Sequence, residues 1–495
     1  MTLTIYNTLS RTKEPFQTLT PNQVKMYCCG VTVYDYCHLG HARSYIVWDS
    51  VRRYLQWRGY TVEYVQNFTD IDDKILKRAD LEHSSMTAVA EKYTAAYFED
   101  LHRLNVRDAD SYPLATGHIQ EIQDLVTDLE RKGFAYAVDG DVYFRVRKFA
   151  EYGKLSKRHL DDLQAGAGER VEAADPDQIK KEDPFDFALW KAAKPNEPSW
   201  ESPWGNGRPG WHIECSAMIQ KQLGETIDIH CGGGDLVFPH HENEIAQSEC
   251  AHDRPLSTYW MHNGMVKLSG EKMSKSLGNF ITIRKLLDDY RDGNNHQIDP
   301  MTVRLFVLTA QYRKPMDFSD ASITAAGQSW QTIKEGLLFG YEFGERLGWV
   351  NLDPIRSGST STTTEEVDKF RTAVDDDFNF AEGLVVVFEL AKELRKVGNI
   401  ITHDSEQTVD PNLLRDKWQT LIELAGVLGL EVNPDELKVQ TNGLSDEEIE
   451  SLLTERQIAR ANKDFATSDR IRAQLTEDKI VVIDKAGSPS TWYRS

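Results

Sequence analysis

The chain has 495 residues, of which 40% are hydrophobic and 27% charged, with a formal net charge of −21. These are the proportions of a soluble globular protein with length for two to four domains. No apolar run approaches the roughly 20 residues of a membrane span, and no basic-then-apolar leader opens the chain, so a cytoplasmic protein without a membrane partner is expected. The acidity weighs against nucleic acid over the whole surface, because phosphate binding rests on Lys and Arg, although a local basic patch can act on an acidic protein.

Residues 25–33 are dense in β-branched and aromatic side chains and predict a buried strand. A turn with His38 and His41 follows, then a helix over 42–58, where Tyr45, Trp48, Val51 and Leu55 recur at spacings of three and four and Gly59 ends the run. A second strand is expected over 61–68. Strand, helix, strand at this spacing opens a parallel, nucleotide-binding sheet. Histidines stand here in place of a glycine-rich fingerprint, at a helix start whose free N–H groups and dipole favour an anion. Thr69 lies at the carboxyl end of the second strand, where open α/β sheets place ligands; Asp70 to Asp73 read equally well as a helix cap and an acidic first turn.

Residues 85–132 are patterned as helix, and Asp139-Gly140 between 134–138 and 141–146 predicts a hairpin. Residues 147–194 are charged and irregular, with Gly166 and Gly168 in an expected loop, and read as an insertion in the sheet domain. A helix begins at Trp211. A short strand over 226–230 leads into Cys231-Gly232-Gly233-Gly234-Asp235, a turn whose glycines let backbone approach a ligand closely, and Pro239 opens a helix to about residue 251. Lys272-Met273-Ser274-Lys275-Ser276 sets two lysines on a polar loop, before helices over 281–290, 301–311 and 329–347. A Ser/Thr-rich linker over 357–364 precedes a helical stretch, 365–430, and a second linker, 431–443. A basic-patterned helical pair over 445–477, with Arg456, Arg460, Lys463, Arg470 and Arg472, leads to a strand over 479–484 and an exposed tail with Trp492.

The cysteines, Cys28, Cys29, Cys37, Cys215, Cys231 and Cys250, fall in two clusters without a CxxC pair; without an export signal, metal binding or burial is expected before disulfides. Cys29, Cys215, His240 and Glu244 offer thiolate, imidazole and carboxylate donors, enough for tetrahedral Zn²⁺. The competing reading is two buried small hydrophobes and a capped helix. His240 and Glu244, four apart, share a helix face, and His241 competes with His240 as the ligand. Cys28 and Cys29 face opposite sides of a strand, so at most one faces the site.

Taken together, these features resemble the class I aminoacyl-tRNA synthetases, and within them the cysteinyl-tRNA synthetase family, from the N-terminus to Thr491-Trp492. His38-Leu39-Gly40-His41 is similar to the HIGH signature with Leu in second place, and 272–276 is an unaltered KMSKS signature. Residues 67–74, 187–191, 210–218 and 238–244 resemble the cysteine-specific branch; Cys28 and Cys231 depart from it. The resemblance implies an α/β fold: a Rossmann-type parallel-sheet catalytic domain with an insertion, then an α-helical bundle and a small C-terminal anticodon-binding domain. Residues 1–115 and 201–280 would be the catalytic halves, 116–200 the connective insertion, 281–330 the stem-contact region, 331–430 the bundle and 444–495 the anticodon-binding domain.

It also implies the chemistry. L-cysteine attacks the α-phosphate of ATP to give cysteinyl-adenylate, and the 3′ end of tRNA(Cys) takes the cysteinyl group. His38, His41, Lys272 and Lys275 would be catalytic, Lys275 foremost and His41 next; Gly40, Gly233 and Asp235 would join His38, His41 and Lys275 in holding ATP. Thr69, Trp211 and His230 would border the cysteine. One Zn²⁺ per subunit on Cys29, Cys215, His240 and Glu244 would take the substrate thiolate and reject serine, Mg²⁺ would accompany ATP, and a monomer is the family expectation. A competing member of the superfamily, an ATP-dependent cysteine ligase acting on an amino-sugar carrier, shares these motifs but is shorter, and the basic helices with Trp492 suit anticodon recognition better. A catalytically dead zinc- or RNA-binding module would not require His38, His41 and Lys275.

Overall fold

Four parallel strands form the centre of the fold, in the spatial order Ser257–Asn263, Ile227–Gly233, Gln23–Cys28, Thr61–Gln66. In chain order this is fourth, third, first, second, so the direction of winding reverses between Gln23–Cys28 and Ile227–Gly233. Ligands of open α/β sheets sit at the carboxyl ends of strands beside such a reversal. The register Tyr27↔His230 and Cys28↔Cys231 puts Cys29 at that point. A computed structural model of the chain describes residues 2–162, 180–195, 197–273, 280–291, 295, 297–349, 364–403, 410–439, 446–477, 480–483 and 490–494. They divide into two compact units, Met1–Gln328 with Ser357–Val385 and Val427–Leu430, and Ser329–Arg356 with Val386–Gly426 and Glu431–Ser495.

In the first unit the strand expected over 25–33 leaves the ladder after Cys28, because Gly30 lies against the next strand's exit: a Cβ there would sit 1.5 Å from the Asn67 carbonyl oxygen. The helix expected from residue 42 begins earlier, at Leu39, and runs to Trp57. His38 caps it. The His41 amide donates to His38 Nδ1 at 3.3 Å and the His38 amide to His41 Nδ1 at 3.3 Å, a reciprocal capping box made by two histidines.

The glycine run is not wholly a turn. The strand Ile227–Gly233 takes Gly232 and Gly233 into the sheet, where a Cβ on Gly232 would meet the His241 ring at 2.9 Å. Pro239 does not open a regular helix either: residues 237–241 form a wide turn with Phe238 extended, and the helix proper is Glu242–His252. The region read as irregular insertion holds a strand, Phe187–Ala192, that joins the hairpin Ala135–Val138/Asp141–Phe144 and Gly207–Pro209 in a four-stranded antiparallel sheet. Gly166 and Gly168 lie outside the described residues. A further small sheet pairs Val266–Leu268 with Glu271–Lys272 on one side and Met316–Phe318 on the other. Of the helices expected after the lysine loop, 281–290 holds a short helical stretch over 283–289 that widens across Lys285–Asp289, and the next is Pro300–Leu308, capped by Asp299.

The second unit contains most of the helices Asp320–Phe343 and Phe380–His403, with Pro411–Val427. Gly340 faces Trp418 so closely that a Cβ would lie 2.3 Å from the indole ring, and the Trp418 Nε1–H donates to the Leu337 carbonyl at 2.8 Å. The stretch 365–430, expected to be helical, holds three helices among the described residues, the first being Glu365–Val374. Of the two expected linkers, 357–363 and 440–443 lie outside the described residues, and Glu436–Val439 is helical. Near the C-terminus, Asp446–Ala461 and Phe465–Glu477 pack Ile449, Leu453, Ile471 and Leu475 around Ile480. The tail is not free: Thr491–Arg494 pairs antiparallel with Ile480–Ile483, and Trp492 packs on that core.

Candidate functional site

At the start of the Leu39–Trp57 helix the rings of His38 and His41 stack 3.7 Å apart, 12° from parallel. Both are half-buried, held by the capping box and by the segment that follows the lysine loop: Leu39 N–H donates to Ile281 O at 3.0 Å and Ile283 N–H to Cys37 O at 2.9 Å. Gly40 leaves a notch in which a Cβ would touch His38 Cε1 at 2.9 Å and Met273 Cε at 3.2 Å. Met273, from the lysine motif, thus lies on the histidine turn. Lys272 is in the strand Glu271–Lys272, paired with Lys267. Ser274, Lys275 and Ser276 lie outside the described residues. Gly234 donates to Asn263 O at 2.8 Å, and Asn263 Oδ1 accepts from Ser44 of the histidine helix at 2.9 Å, which brings the glycine run beside that helix. Gly233 ends its strand against Asp235, an exposed carboxylate.

The second cluster is buried at the carboxyl ends of the central strands. Cys29 follows its strand, Cys215 comes from the helix Trp211–Gln222, His240 from the wide turn and Glu244 from the first turn of Glu242–His252. Their donor atoms all lie within 4.8 Å of one another. Cys29 Sγ is 3.8 Å from Cys215 Sγ and 3.4 Å from Glu244 Oε1; His240 Nε2 is 3.6 Å from Cys215 Sγ and 3.0 Å from Glu244 Oε1. The edges of a tetrahedron around Zn²⁺ with ordinary Zn–S, Zn–N and Zn–O bonds are about 3.8 Å for S···S, about 3.6 Å for S···N and S···O and about 3.4 Å for N···O. The cluster has nearly those edges, and its donor set is one that Zn²⁺ accepts. A second quartet, Cys29, His230, His241 and Glu244, shares two members. Its fit is poorer: His241 Nε2 is 3.3 Å from Cys29 Sγ but 4.0 Å from Glu244 Oε1, and His230 Nε2 bonds the other carboxylate oxygen at 2.8 Å.

Protonation in the cluster follows from burial and neighbours. Burial pushes the Cys29 thiol well up, while the hydrogen bond from Cys29 draws Cys215 down to about 6. Burial opposes charge on His240 and on Glu244, but the two answer each other: with Glu244 and Cys215 beside it, His240 rises to about 9, and with His230 and His240 beside it, Glu244 is held well below the usual carboxylate range. A cation among these donors would displace the protons of His240 and Cys29.

Around the quartet is a ring of groups, of which the sequence reading singles out Thr69, Trp211, His230 and His241. Trp211 stacks on His240 at 4.0 Å, and His212 Nδ1 lies 2.9 Å from His240 Nδ1. His241 Nδ1 is 2.8 Å from His262 Nε2, whose Nδ1 is 2.9 Å from Thr8 Oγ1. His230 stacks on Trp260 at 4.4 Å. Thr69 Oγ1 donates to buried Glu214 at 3.1 Å; burial, then Cys215 and Asp72, lift the Glu214 carboxyl well above its usual range. The acidic run beside Thr69 divides: Asp72 caps the helix Asp73–Glu82, while Asp70 accepts from Thr116. The structure therefore brings Trp211 and His230 against the quartet, and Thr69 near it through Glu214, the residue before Cys215. Asn67, which accepts from the Gly30 amide at 2.8 Å, His212 and His262 were missed. The available signal was spacing for His212, three residues before Cys215, and register for His262, on the strand beside His230.

A parallel sheet with a winding reversal, a histidine-capped helix against a lysine-bearing strand pair, and a mainly helical continuation are the arrangement of a class I aminoacyl-tRNA synthetase. Solved structures share this fold. Methionyl-tRNA synthetase of Mycobacterium tuberculosis in complex with methionyl-adenylate matches with a TM-score of 0.54 at 15% identity, over 82% of this chain and 90% of that one. A ternary LeuRS–tRNA–LeuAMS complex from Agrobacterium radiobacter matches with a TM-score of 0.57 at 11% identity, over 87% of each chain. The family model "tRNA synthetases class I (C) catalytic domain" matches residues 15–328, a DALR domain 369–433, and "Cysteinyl-tRNA ligase anticodon binding domain" 442–490. Cysteine–tRNA ligases of Rippkaea orientalis and Gloeothece citriformis are each 60% identical to it, over the full length of both chains. The chain belongs to the cysteine–tRNA ligase family.

Proposed function

We propose that the protein activates L-cysteine with ATP to cysteinyl-adenylate and transfers the cysteinyl group to the 3′ end of tRNA(Cys). The observation that carries this reading is the buried quartet with tetrahedral Zn²⁺ spacing, set at the winding reversal beside a histidine-capped helix. Attack on the α-phosphate spreads negative charge over phosphate oxygens. His38 and His41 at a helix N-terminus, with Lys272 and Lys275, would stabilise that charge, and loss of one such preorganised donor typically costs about 3–4 kcal/mol. Gly40, Gly233 and Asp235 would take the nucleotide, with Mg²⁺ on its phosphates.

Cys29, Cys215, His240 and Glu244 would hold Zn²⁺, with Thr69, Trp211 and His230 bordering the amino acid. Bound there, Zn²⁺ would act as a Lewis acid that lowers the pKa of a coordinated thiol enough for it to lose its proton to solvent near neutral pH, which a hydroxyl does far less readily, and this is the ground for choosing cysteine over serine. Pocket shape alone would separate the two by only ~1–3 kcal/mol. The anticodon-domain likeness over 442–490 favours tRNA over an amino-sugar carrier as acceptor.

The test is cysteine-dependent ATP–pyrophosphate exchange on metal-quantified protein, with a parallel charging assay on tRNA(Cys). Exchange with one zinc per chain, loss of cysteine selectivity on chelation and charged tRNA are expected. Exchange without charging would move the acceptor to a small molecule, and no exchange despite bound zinc would refute the enzyme reading.

A further inference from the structure

The second turn of the histidine helix buries a cation that no carboxylate of the described residues answers. Arg43, two residues after His41, is fully buried, and among the described residues no acidic side chain pairs with it. Its guanidinium is given to three carbonyls. Nη1 donates to Met265 O at 2.8 Å, and Nη2 to Tyr312 O at 3.1 Å and to Lys314 O. The Nε–H is buried without a partner. An unpaired buried charge is an expensive filler, and an apolar side chain would pack there at lower cost. A planar fork of donors, by contrast, suits simultaneous bonds to carbonyls from two segments, which a lysine's point charge does not replace.

Those carbonyls mark one place in the fold. Met265 directly precedes Val266–Leu268, the strand paired with Glu271–Lys272, and Lys314 comes two residues before Met316–Phe318, the strand on its other edge. The two segments press together at Gly264, where a Cβ would lie 2.4 Å from the Lys314 carbonyl carbon. From the other side, Asp377 accepts from Tyr312 Oη at 2.9 Å, Arg313 Nε at 2.7 Å and Gln311 Nε2 at 3.2 Å. The small sheet that carries Lys272 is thus fastened through Arg43 to the helix that carries His38 and His41.

We infer that Arg43 is a positioning residue of the activation step, setting the separation between the histidine turn and the Lys272-bearing sheet. The inference rests on the function proposed above. Its test is a double-mutant cycle in pyrophosphate exchange, with Arg43→Lys, Lys272→Ala and the double variant, alongside zinc content and the KM for cysteine. Arg43→Lys is expected to lower kcat about 10²-fold, the effect of a misplacement near 1 Å, with zinc content and cysteine KM unchanged. In the Lys272→Ala background the same change should be much smaller, because the group being positioned is gone. Should Arg43→Lys fail to fold, Asp377→Asn loosens the same 311–314 segment and should show the same kcat-only loss. Equal losses in both backgrounds, within about twofold, or a cysteine KM that moves with kcat, overturn the inference while the proposed function stands. A wild-type protein without exchange removes both.

Discussion

Replacing His240 and His241 separately by Asn asks which imidazole completes the metal site. Only His240 closes the tetrahedral edges, at 3.6 Å from Cys215 and 3.0 Å from Glu244, whereas His241 stands 4.0 Å from the Glu244 oxygen nearest it. Structural Zn²⁺ binds cysteine–histidine sites with about 10–16 kcal/mol, so one of four ligands stands for about 2.5–4 kcal/mol. His240→Asn should therefore weaken zinc about 10²–10³-fold, and more if Glu244 is left with one histidine fewer. His241 acts on Cys29 from outside, at 3.3 Å, and such outer partners typically account for about 10–100-fold. The assay is competition with a chromophoric chelator, read together with Co²⁺ absorption. His240→Asn should alter the Co²⁺ ligand-field bands, because a nitrogen donor leaves the metal; His241→Asn should preserve their shape. If His241→Asn changes the bands and weakens zinc the more, the distance argument is wrong and the second quartet is the metal site.

Three further outcomes follow from the geometry. His262 is held at about 3, by burial first and then by His230, against about 6.5 in an unfolded chain. Its folded value is depressed, so its contribution is full above about pH 6.5 and is lost as pH falls toward 3; His262→Gln should flatten the pH dependence of unfolding near pH 5 by up to about 1.4 kcal/mol per pH unit, and an unchanged slope would refute the assignment. His41→Ala removes a reciprocal cap and a phosphate donor together: exchange should fall about 10²–10³-fold with zinc retained, and helix stability by about 1 kcal/mol, checked by kinetics and thermal unfolding. Gly340→Ala drives a methyl into Trp418 and should destabilise by about 1–3 kcal/mol, whereas Gly327→Ala on the same helix meets only Thr302 Cγ2 at 3.8 Å and should stabilise by about 0.5–1 kcal/mol; calorimetry showing equal effects would contradict the packing described.

The strand–helix–strand opening was legible because its apolar periods are long and Gly59 marks the helix end; the break at Gly30 was read through because the close approach to Asn67 that requires it is a tertiary contact. Donor chemistry offered Cys29, Cys215, His240 and Glu244 beside a reading of two buried small hydrophobes and a capped helix, and the family resemblance chose between the two. Donor chemistry could not separate His240 from His241, because a wide turn, not helical periodicity, aims them. His212 and His262 stayed hidden because they reach the site through partners far away in sequence. The terminal strand with Trp492 looked like a tail because its pairing partner, Ile480–Ile483, is too short to advertise a hairpin. Arg43 reads locally as an ordinary polar residue on a helix; only tertiary contacts reveal a buried fork.

The order of strands in the central sheet also has a temporal side. Cys29 is made early and directly follows the first strand of that sheet, yet its neighbours Cys215, His240 and Glu244 come from the third strand's surroundings. At about 5–20 residues per second, translation leaves roughly 10–40 s between Cys29 and Glu244. During that interval the early thiol lacks the donors of Cys215, His240 and Glu244, so the quartet is complete only once Glu242–His252 has been made. Where Cys29, Cys215, His240 and Glu244 hold zinc as proposed, metal occupancy would therefore report that the early and late strands have paired.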